Sequence, residues 1–175
     1  MQTSRGTSLS GSGSPRTVLF ATVAAVVVAI DQLTKWWAVE ELQGRDSIAV
    51  LGDVLSLTFV LNPGAAFGTG AGYTIVLTLV ALVATAVLLF FARRLQDRVW
   101  AVGLGLFLGG AVGNLIDRLT REPGALRGHV VDMINYNDWF VGNVADMALT
   151  GAAVLIVVRA WQGIALDGTK EESAT

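Results

Sequence analysis

Four apolar stretches, each close to the length that a helix needs to cross a lipid bilayer, constrain this chain most. They cover about residues 17–37, 73–92, 99–116 and 139–158. A membrane-spanning helix needs roughly 20 apolar residues. Charged residues make up only 15% of the chain, against about 25% in a typical soluble domain. We therefore predict a membrane all-α protein, a bundle of four transmembrane helices, with five glycines in the third stretch for close helix packing.

The composition excludes several kinds of chemistry. The chain contains no cysteine, so a thiolate metal site, a cysteine nucleophile and a disulfide framework are all excluded. Its single histidine, His129, excludes a histidine-rich metal site. A net charge of -2 gives no indication of a nucleic-acid partner. We expect no metal and no cofactor.

The basic residues predict how the bundle is oriented. Residues 1–16 are typical of a disordered basic tail, residues 17–161 form the predicted membrane domain, and residues 162–175 form a polar tail. Cytoplasmic loops carry an excess of lysine and arginine. With both termini in the cytoplasm, that side holds seven basic and four acidic residues, and the other side holds five and ten. We therefore predict an N-in, C-in topology, with the short hairpin 93–98 as its strongest anchor.

Two segments on the predicted outer side have their own patterns. Trp36, Trp37 and the following residues suit a short interfacial helix, because tryptophan prefers the headgroup level. Residues 48–60 are rich in apolar and β-branched side chains, which predicts short strands that lie on the outer surface. Such strands could hold an extended peptide by strand addition, or they could simply cap the bundle, and both interpretations stay open.

Ionisable residues at the ends of the predicted spans are the candidates for function. Asp31 and Lys35 are four residues apart and so can pair on one helix face. Asp132 lies in an apolar, extended run, and Asp146 lies in the first turns of the fourth helix. Asn143, three residues before Asp146, either faces the same way or caps that helix.

If Asp132 and Asp146 meet, they can hydrolyse a peptide bond. Two adjacent carboxyls share one proton, so the ionised carboxyl activates a water and the protonated one polarises the scissile carbonyl. Paired carboxyls in a membrane also move protons and ions. The residues alone therefore leave a small transporter or proton-translocating protein as the alternative.

The same residues fall into five ordered blocks that resemble one family, lipoprotein signal peptidase, also called signal peptidase II. The blocks are Asp31–Lys35, Asn62–Gly68, Gly109–Arg118, Val130–Ile134 and Phe140–Asp146. The resemblance runs from about residue 17 to residue 158, and within it residues 48–60 resemble the small β-cradle at the outer face of the family's four-helix bundle. It implies an aspartic endopeptidase of the bacterial cytoplasmic membrane, with its active site at the outer face. Such an enzyme removes the signal peptide of diacylglyceryl-modified prolipoproteins by cleaving before the lipidated cysteine.

The resemblance also implies roles for individual residues. Asp132 and Asp146 match the catalytic pair, and Asp31 and Lys35 match positions that support the structure. Supporting or substrate-binding residues are implied at Asn62, Gly64, Asn114, Asp117, Arg118 and Asn143. We expect Asp138, in the short segment between the catalytic blocks, to lie outside the site. The expected partners are lipid-modified prolipoprotein signal peptides and membrane phospholipid, and the expected state is a monomer.

Overall fold

The computed structural model describes residues 14–64 and 71–170, which form four helices and four strands. The helices are α1 (Pro15–Leu42), α2 (Thr74–Phe91), α3 (Arg98–Thr120) and α4 (Val144–Trp161). The strands are β1 (Ile48–Leu51), β2 (Leu55–Asn62), β3 (Val130–Tyr136) and β4 (Phe140–Gly142). Within the described ranges, these four helices are long and apolar enough to cross a membrane. The prediction of four spans is therefore confirmed.

Helix α3 is the centre of the bundle, with α1 and α4 on two of its sides and α2 on a third. Its glycines permit this close approach. A Cβ atom on Gly109 would lie 2.6 Å from the Cβ of Val27 in α1, and one on Gly110 would lie 2.6 Å from the carbonyl oxygen of Ala145 in α4. Larger residues would push both neighbours away, so the predicted close packing at these glycines is confirmed.

The four strands form one antiparallel sheet in the order β1-β2-β3-β4. The first two strands come from the segment that we predicted to form strands, residues 48–60. The sequence prediction missed that β3 and β4 join the same sheet. Strand β3 pairs with β2 so that Asp132 lies opposite Val60. The sheet packs against α1 and α3, which fixes the position of Asp132 relative to the bundle.

The predicted interfacial helix is wrong as a separate element. Helix α1 continues unbroken to Leu42, so the pair Trp36-Trp37 lies inside it. After Pro15, this sequence contains neither glycine nor proline, and its last turns are rich in good helix formers. The helix ends just before Gly44, whose φ of 74° suits the residue that follows a helix.

The predicted start of the fourth span at Trp139 is also wrong. The residues after Trp139 form β4, and α4 begins only after Asn143. Asn137 and Asp138 make a tight turn between β3 and β4 with φ values of 52° and 55°, which these residue types tolerate in hairpins. A short apolar run such as Trp-Phe-Val fits a strand as well as a helix, so periodicity could not distinguish them.

Some predicted segments fall outside the described residues. These are residues 1–13 of the basic tail, residues 171–175 of the polar tail, and residues 65–70. The last range includes the end of the block Asn62–Gly68. Helix α1 begins at Pro15, so the last two residues of the predicted tail 1–16 are helical.

Residues 162–170, the described part of the predicted polar tail, are bound to the rest of the protein. The backbone N–H groups of Gln96 and Asp97 donate to the carbonyl of Leu166. The indole N–H of Trp100 donates to the carbonyl of Ile164 at 2.8 Å. These contacts tie the segment to the connection between α2 and α3. We call this end of the bundle, which also contains the start of α1, the hairpin end.

Candidate active site

Polar side chains converge at the other end of the bundle, which we call the sheet end. Here the last turns of α1 and α3 meet the first turn of α4 and the strands β2 and β3. Most of the residues that the sequence singled out lie here within hydrogen-bond distance of one another. They are Asp31, Lys35, Asn62, Asn114, Asp117, Asp132, Asn143 and Asp146.

Asp132 is buried in the middle of β3, with 2% of its surface exposed. Its Oδ2 accepts a hydrogen bond from the side-chain amide of Asn62 at 2.8 Å, and its Oδ1 accepts one from Asn143 at 2.6 Å. The pKa of Asp132 is raised to about 6, mainly by burial. The hydrogen bond from Asn62 opposes this rise, and the negative charge of Asp146 adds to it. The carboxyl can therefore hold a proton at mildly acidic pH.

Asp146 points toward the same place from the first turn of α4. Its Oδ1 accepts a hydrogen bond from the side-chain amide of Asn114 at 3.1 Å. Its Oδ2 accepts one from the backbone N–H of Asn143 at 3.1 Å. The two aspartates thus reach the site from different elements, a strand and a helix, and each is held by amide donors on both oxygens.

Asn143 connects the two aspartates. Its side-chain oxygen accepts the backbone N–H of Asp146 at 3.0 Å and so caps α4, while its Nδ2 donates to Asp132 and to Asn114. With the reciprocal bond from its own backbone N–H, this is a complete capping box. The sequence left capping and site orientation as alternatives for Asn143, and the structure shows both.

A buried charge cluster lies directly beneath the aspartates. The ammonium of Lys35 lies 2.8 Å from Asp31 Oδ2 and 2.9 Å from Asp117 Oδ2, and none of these side chains is exposed to solvent. It also donates to Asn114 Oδ1 at 2.8 Å. The predicted pairing of Asp31 with Lys35 is present, but Lys35 has a second carboxylate partner on α3.

Arg118 lies at the end of α3 beside the site. Its Nη2 donates to the carbonyl of Gly64, and the backbone N–H of Gly64 donates to Asn62 Oδ1 at 2.9 Å. The turn after β2 is therefore held next to Asp132 from two sides. The Nη1 of Arg118 is buried and has no hydrogen-bond partner within the described part of the chain.

Two largely apolar cavities meet at Asp146. One, of about 410 Å³, lies between α2, α3 and α4, with Asn114, Arg118 and Asp146 among its polar lining residues. The other, of about 500 Å³, lies between the β3–β4 hairpin and α4 and is lined by aromatic and apolar side chains that include Trp139 and Phe140. Phe140 lines both cavities. An apolar ligand at either side would therefore reach the carboxyl of Asp146.

The two aspartates are surrounded by hydrogen-bond donors, whereas a metal site would place further metal ligands around them. All four carboxyl oxygens of Asp132 and Asp146 accept an amide N–H. Among residues 14–64 and 71–170, no three histidine, cysteine or acidic side chains are grouped as metal ligands would be. The carboxyl of Asp138 accepts a hydrogen bond from Asn135 within the hairpin turn at 2.6 Å.

Some contributing groups were not predicted from the sequence. Arg121 binds Asp117 at 2.7 Å from four residues further along α3, a spacing that could have revealed it. Gln32 donates to Asp31 at 3.1 Å. The backbone N–H groups of Ala145 and Val131 also donate to buried carboxylates, and no sequence signal marks a backbone group.

Known proteins resemble this chain in both sequence and fold. A sequence profile of the family described as signal peptidase (SPase) II matches residues 23–162. The chain belongs to the signal peptidase II family. It is 47% identical over 149 residues to the lipoprotein signal peptidase of Mycobacterium avium, covering 85% of this chain and 82% of that protein. It is 44% identical over 168 residues to that of Rhodococcus jostii, covering 93% and 85%.

Two solved structures share the architecture of this chain. A bacterial membrane enzyme determined at 2.3 Å resolution matches with a TM-score of 0.72 and 27% identity, over 89% of this chain and 93% of that chain. A second bacterial membrane enzyme matches with a TM-score of 0.67 and 30% identity, over 81% of this chain and 91% of that chain. This chain is thus a multi-pass membrane peptidase of the signal peptidase II family, which processes lipoproteins.

Proposed function

We propose that Asp132 and Asp146 are the catalytic pair of an aspartic endopeptidase. Its substrate is a prolipoprotein already modified with diacylglycerol, and cleavage falls immediately before the modified cysteine. The observation that carries this proposal is the bridge through Asn143, which contacts both carboxyls beside two apolar cavities. Membership in the signal peptidase II family supplies the substrate class.

The proposed reaction needs one shared proton. The ionised carboxyl takes a proton from a water, whose oxygen attacks the scissile carbonyl carbon while the protonated carboxyl donates a hydrogen bond to the carbonyl oxygen. The tetrahedral intermediate then breaks its carbon–nitrogen bond, and a proton passes to the leaving amine of the cysteine. The raised pKa of Asp132 supports this scheme, since that carboxyl can hold the proton where an ordinary aspartate would be ionised.

The neighbouring residues would hold the pair and the substrate in place. Asn62, Asn114 and Asn143 donate to the carboxyls and fix where their free lone pairs point. Arg118 and Gly64 hold the turn after β2 close to Asp132. The apolar walls of the two cavities suit the hydrophobic signal peptide and the acyl chains of the modified cysteine, as well as membrane phospholipid in their absence.

Substituting either aspartate tests the catalytic proposal. Asp132→Asn and Asp146→Asn should each reduce kcat for a diacylglyceryl-modified prolipoprotein by about 10³-fold or more, because neither amide can exchange the proton. Cleavage by the purified protein in detergent is the measurement, with the unmodified substrate as a parallel that should not be cut. Asp138→Asn is the matched control and should keep most of the activity. Substantial turnover by a folded Asp132→Asn protein would refute the proposal.

The orientation of the bundle is a separate part of the proposal. Arginines at the hairpin end, among them Arg16, Arg93 and Arg94, favour that end as cytoplasmic and the sheet end as outer. Because the chain has no cysteine, single cysteines can report each end. In intact cells, a membrane-impermeant thiol reagent should label Ser47→Cys and leave Lys170→Cys unlabelled. Labelling of Lys170→Cys alone would reverse the orientation.

A further inference from the structure

Lys35 has a fully buried ammonium group whose three N–H bonds all have acceptors. The acceptors are Asp31 in its own helix and Asp117 and Asn114 in α3. A buried lysine is strongly disfavoured unless its charge is compensated, so such a residue requires a reason. The two carboxylates compensate the charge, but the bond to the neutral Asn114 points toward the site.

We propose that Lys35 is a positioning residue of the catalytic pair. It fixes the orientation of the Asn114 amide, and through Asp31 and Asp117 it holds the two backbone segments that carry Asp146 and Asp132. This inference rests on the proposed function, because it assigns a role relative to those two aspartates.

The first part of the inference concerns Asn114. An ammonium group can only donate hydrogen bonds, so Asn114 must present its oxygen to Lys35. Its Nδ2 is then turned to Asp146, to which it donates at 3.1 Å. The same oxygen accepts a bond from Asn143 at 3.2 Å. A flipped amide would place donors against Lys35 and Asn143 and an oxygen against the carboxyl of Asp146. The lysine therefore selects the orientation that serves the aspartate.

The second part concerns the two carboxylates bound to Lys35. Asp31 Oδ1 accepts the backbone N–H of Ala145, the residue immediately before Asp146, at 2.9 Å. Asp117 Oδ2 accepts the backbone N–H of Val131, the residue immediately before Asp132, at 3.3 Å. Each carboxylate bound to the lysine thus holds the backbone next to one aspartate of the proposed catalytic pair. One ammonium group thus ties the start of α4 to the start of β3.

The charge of Lys35 also acts on the pair. The charged groups that face Asp132 are Lys35 on α1, Arg118 on α3 and Asp146 on α4, while β2 brings only the amide of Asn62. Burial raises the pKa of Asp132, and the positive charge of Lys35 partly opposes the rise. Removing that charge should therefore raise this pKa further.

The test is a double variant that keeps the buried net charge. Asp31→Asn with Lys35→Met removes one negative and one positive charge. The amide introduced by Asp31→Asn retains an oxygen for the N–H of Ala145, and Asp117 keeps Arg121 at 2.7 Å. We expect kcat for the modified substrate to fall by about 10²-fold with little change in KM, since small displacements of reacting groups have effects of that size. The alkaline limb of the pH profile of kcat/KM should move to higher pH.

A matched control separates positioning from general loss of structure. Arg159→Gln breaks the ion pair with Asp97 at the hairpin end and should lower the thermal midpoint without changing kcat or the pH limb. Wild-type kcat in the double variant would overturn the inference, as would lost activity with an unmoved limb. If the double variant does not fold, Lys35→Arg replaces it. Lys35→Arg keeps the positive charge but cannot keep all three short hydrogen bonds of the ammonium group. We therefore expect kcat to fall while the alkaline limb of the pH profile stays where it is. A wild-type kcat would again refute the positioning role of Lys35.

The outcomes for the two proposals are distinguishable. An active, folded Asp132→Asn protein would refute the catalytic pair itself. An inactive Asp132→Asn protein beside a fully active Lys35 variant would refute only the positioning role.

Discussion

At the sheet end, the ion pairs of Lys35 with Asp31 and Asp117 are completely enclosed, whereas the pair between Arg159 and Asp97 at the hairpin end keeps 19% and 13% exposure. The enclosed cluster bonds to the residues around the aspartates. The hairpin-end pair instead serves a local purpose. Asp97 caps α3 by accepting the backbone N–H groups of Val99 and Trp100, and Arg159 ties α4 to that cap.

The difference shows that this protein buries charged side chains, which is energetically unfavourable, at the sheet end. Breaking a buried ion pair by removing one partner is destabilising by about 3–5 kcal/mol, because the remaining charge stays desolvated. Replacing an intact buried pair by apolar residues of similar volume is often neutral or stabilising, so such a pair is weak evidence for a role in stability. The enclosed cluster is therefore better explained by the positions that it imposes on Asp132 and Asp146.

The largest expected effect comes from substituting Asn143, which connects the two aspartates at the sheet end. Asn143→Ala removes the donor to Asp132 and the cap of α4 together. We expect kcat to fall by about 10²-fold or more, because the carboxyl of Asp132 loses its orientation. Loss of the cap should also reduce the free energy of unfolding by about 1 kcal/mol. Steady-state kinetics and thermal unfolding in detergent measure both. A variant that loses stability but keeps its kcat would separate folding from catalysis at this residue.

An intermediate effect is expected in the pH dependence of stability, to which Asp132 contributes at the sheet end. Because the pKa of Asp132 is raised to about 6 in the folded protein, its contribution to stability is present below pH 4 and is lost as the pH rises through 6. The full loss corresponds to about 3 kcal/mol. The thermal midpoint of Asp132→Asn should therefore gain on that of the wild type between pH 4 and pH 7. A constant difference across this range would show that folding does not raise the pKa of Asp132.

The smallest expected effect comes from breaking the ion pair between Arg159 and Asp97 at the hairpin end. Burial acts to raise the pKa of Asp97, but the hydrogen bonds from Arg159 and from the backbone N–H groups of Trp100 and Val99 outweigh it and hold the pKa below its usual value. This stabilisation is present above pH 4 and is lost as the pH falls below it. Arg159→Gln should lower the midpoint at neutral pH by about 2–4 °C, a difference that shrinks in acid. A fall in kcat would show that the two ends are coupled.

Spacing and residue type predicted much of this molecule. The four spans follow from apolar length alone, and the Asp31–Lys35 pair follows from a separation of four residues on one helix. Asn143 was correctly placed beside Asp146 for the same reason, because three residues make less than one full turn.

Contacts between distant parts of the chain could not be predicted in this way. Lys35 has partners on α3 that no local spacing connects to it, and β3 pairs with β2, which lies far earlier in the chain. The boundary at Trp139 failed because a tight turn with positive φ values, rather than hydrophobicity, decides it. Local pattern identifies the groups that carry chemistry, and packing decides what they touch.

The double use of Asn143 has a consequence for inhibitor resistance. A compound that hydrogen-bonds to this side chain would contact the group that both begins a membrane helix and joins the two aspartates. A substitution that removes the compound's contact would uncap the helix and release Asp132 in the same step. Escape by mutation at this position should therefore be rare, and resistance should instead arise in the apolar walls of the cavities, where side chains can change without loss of a hydrogen bond.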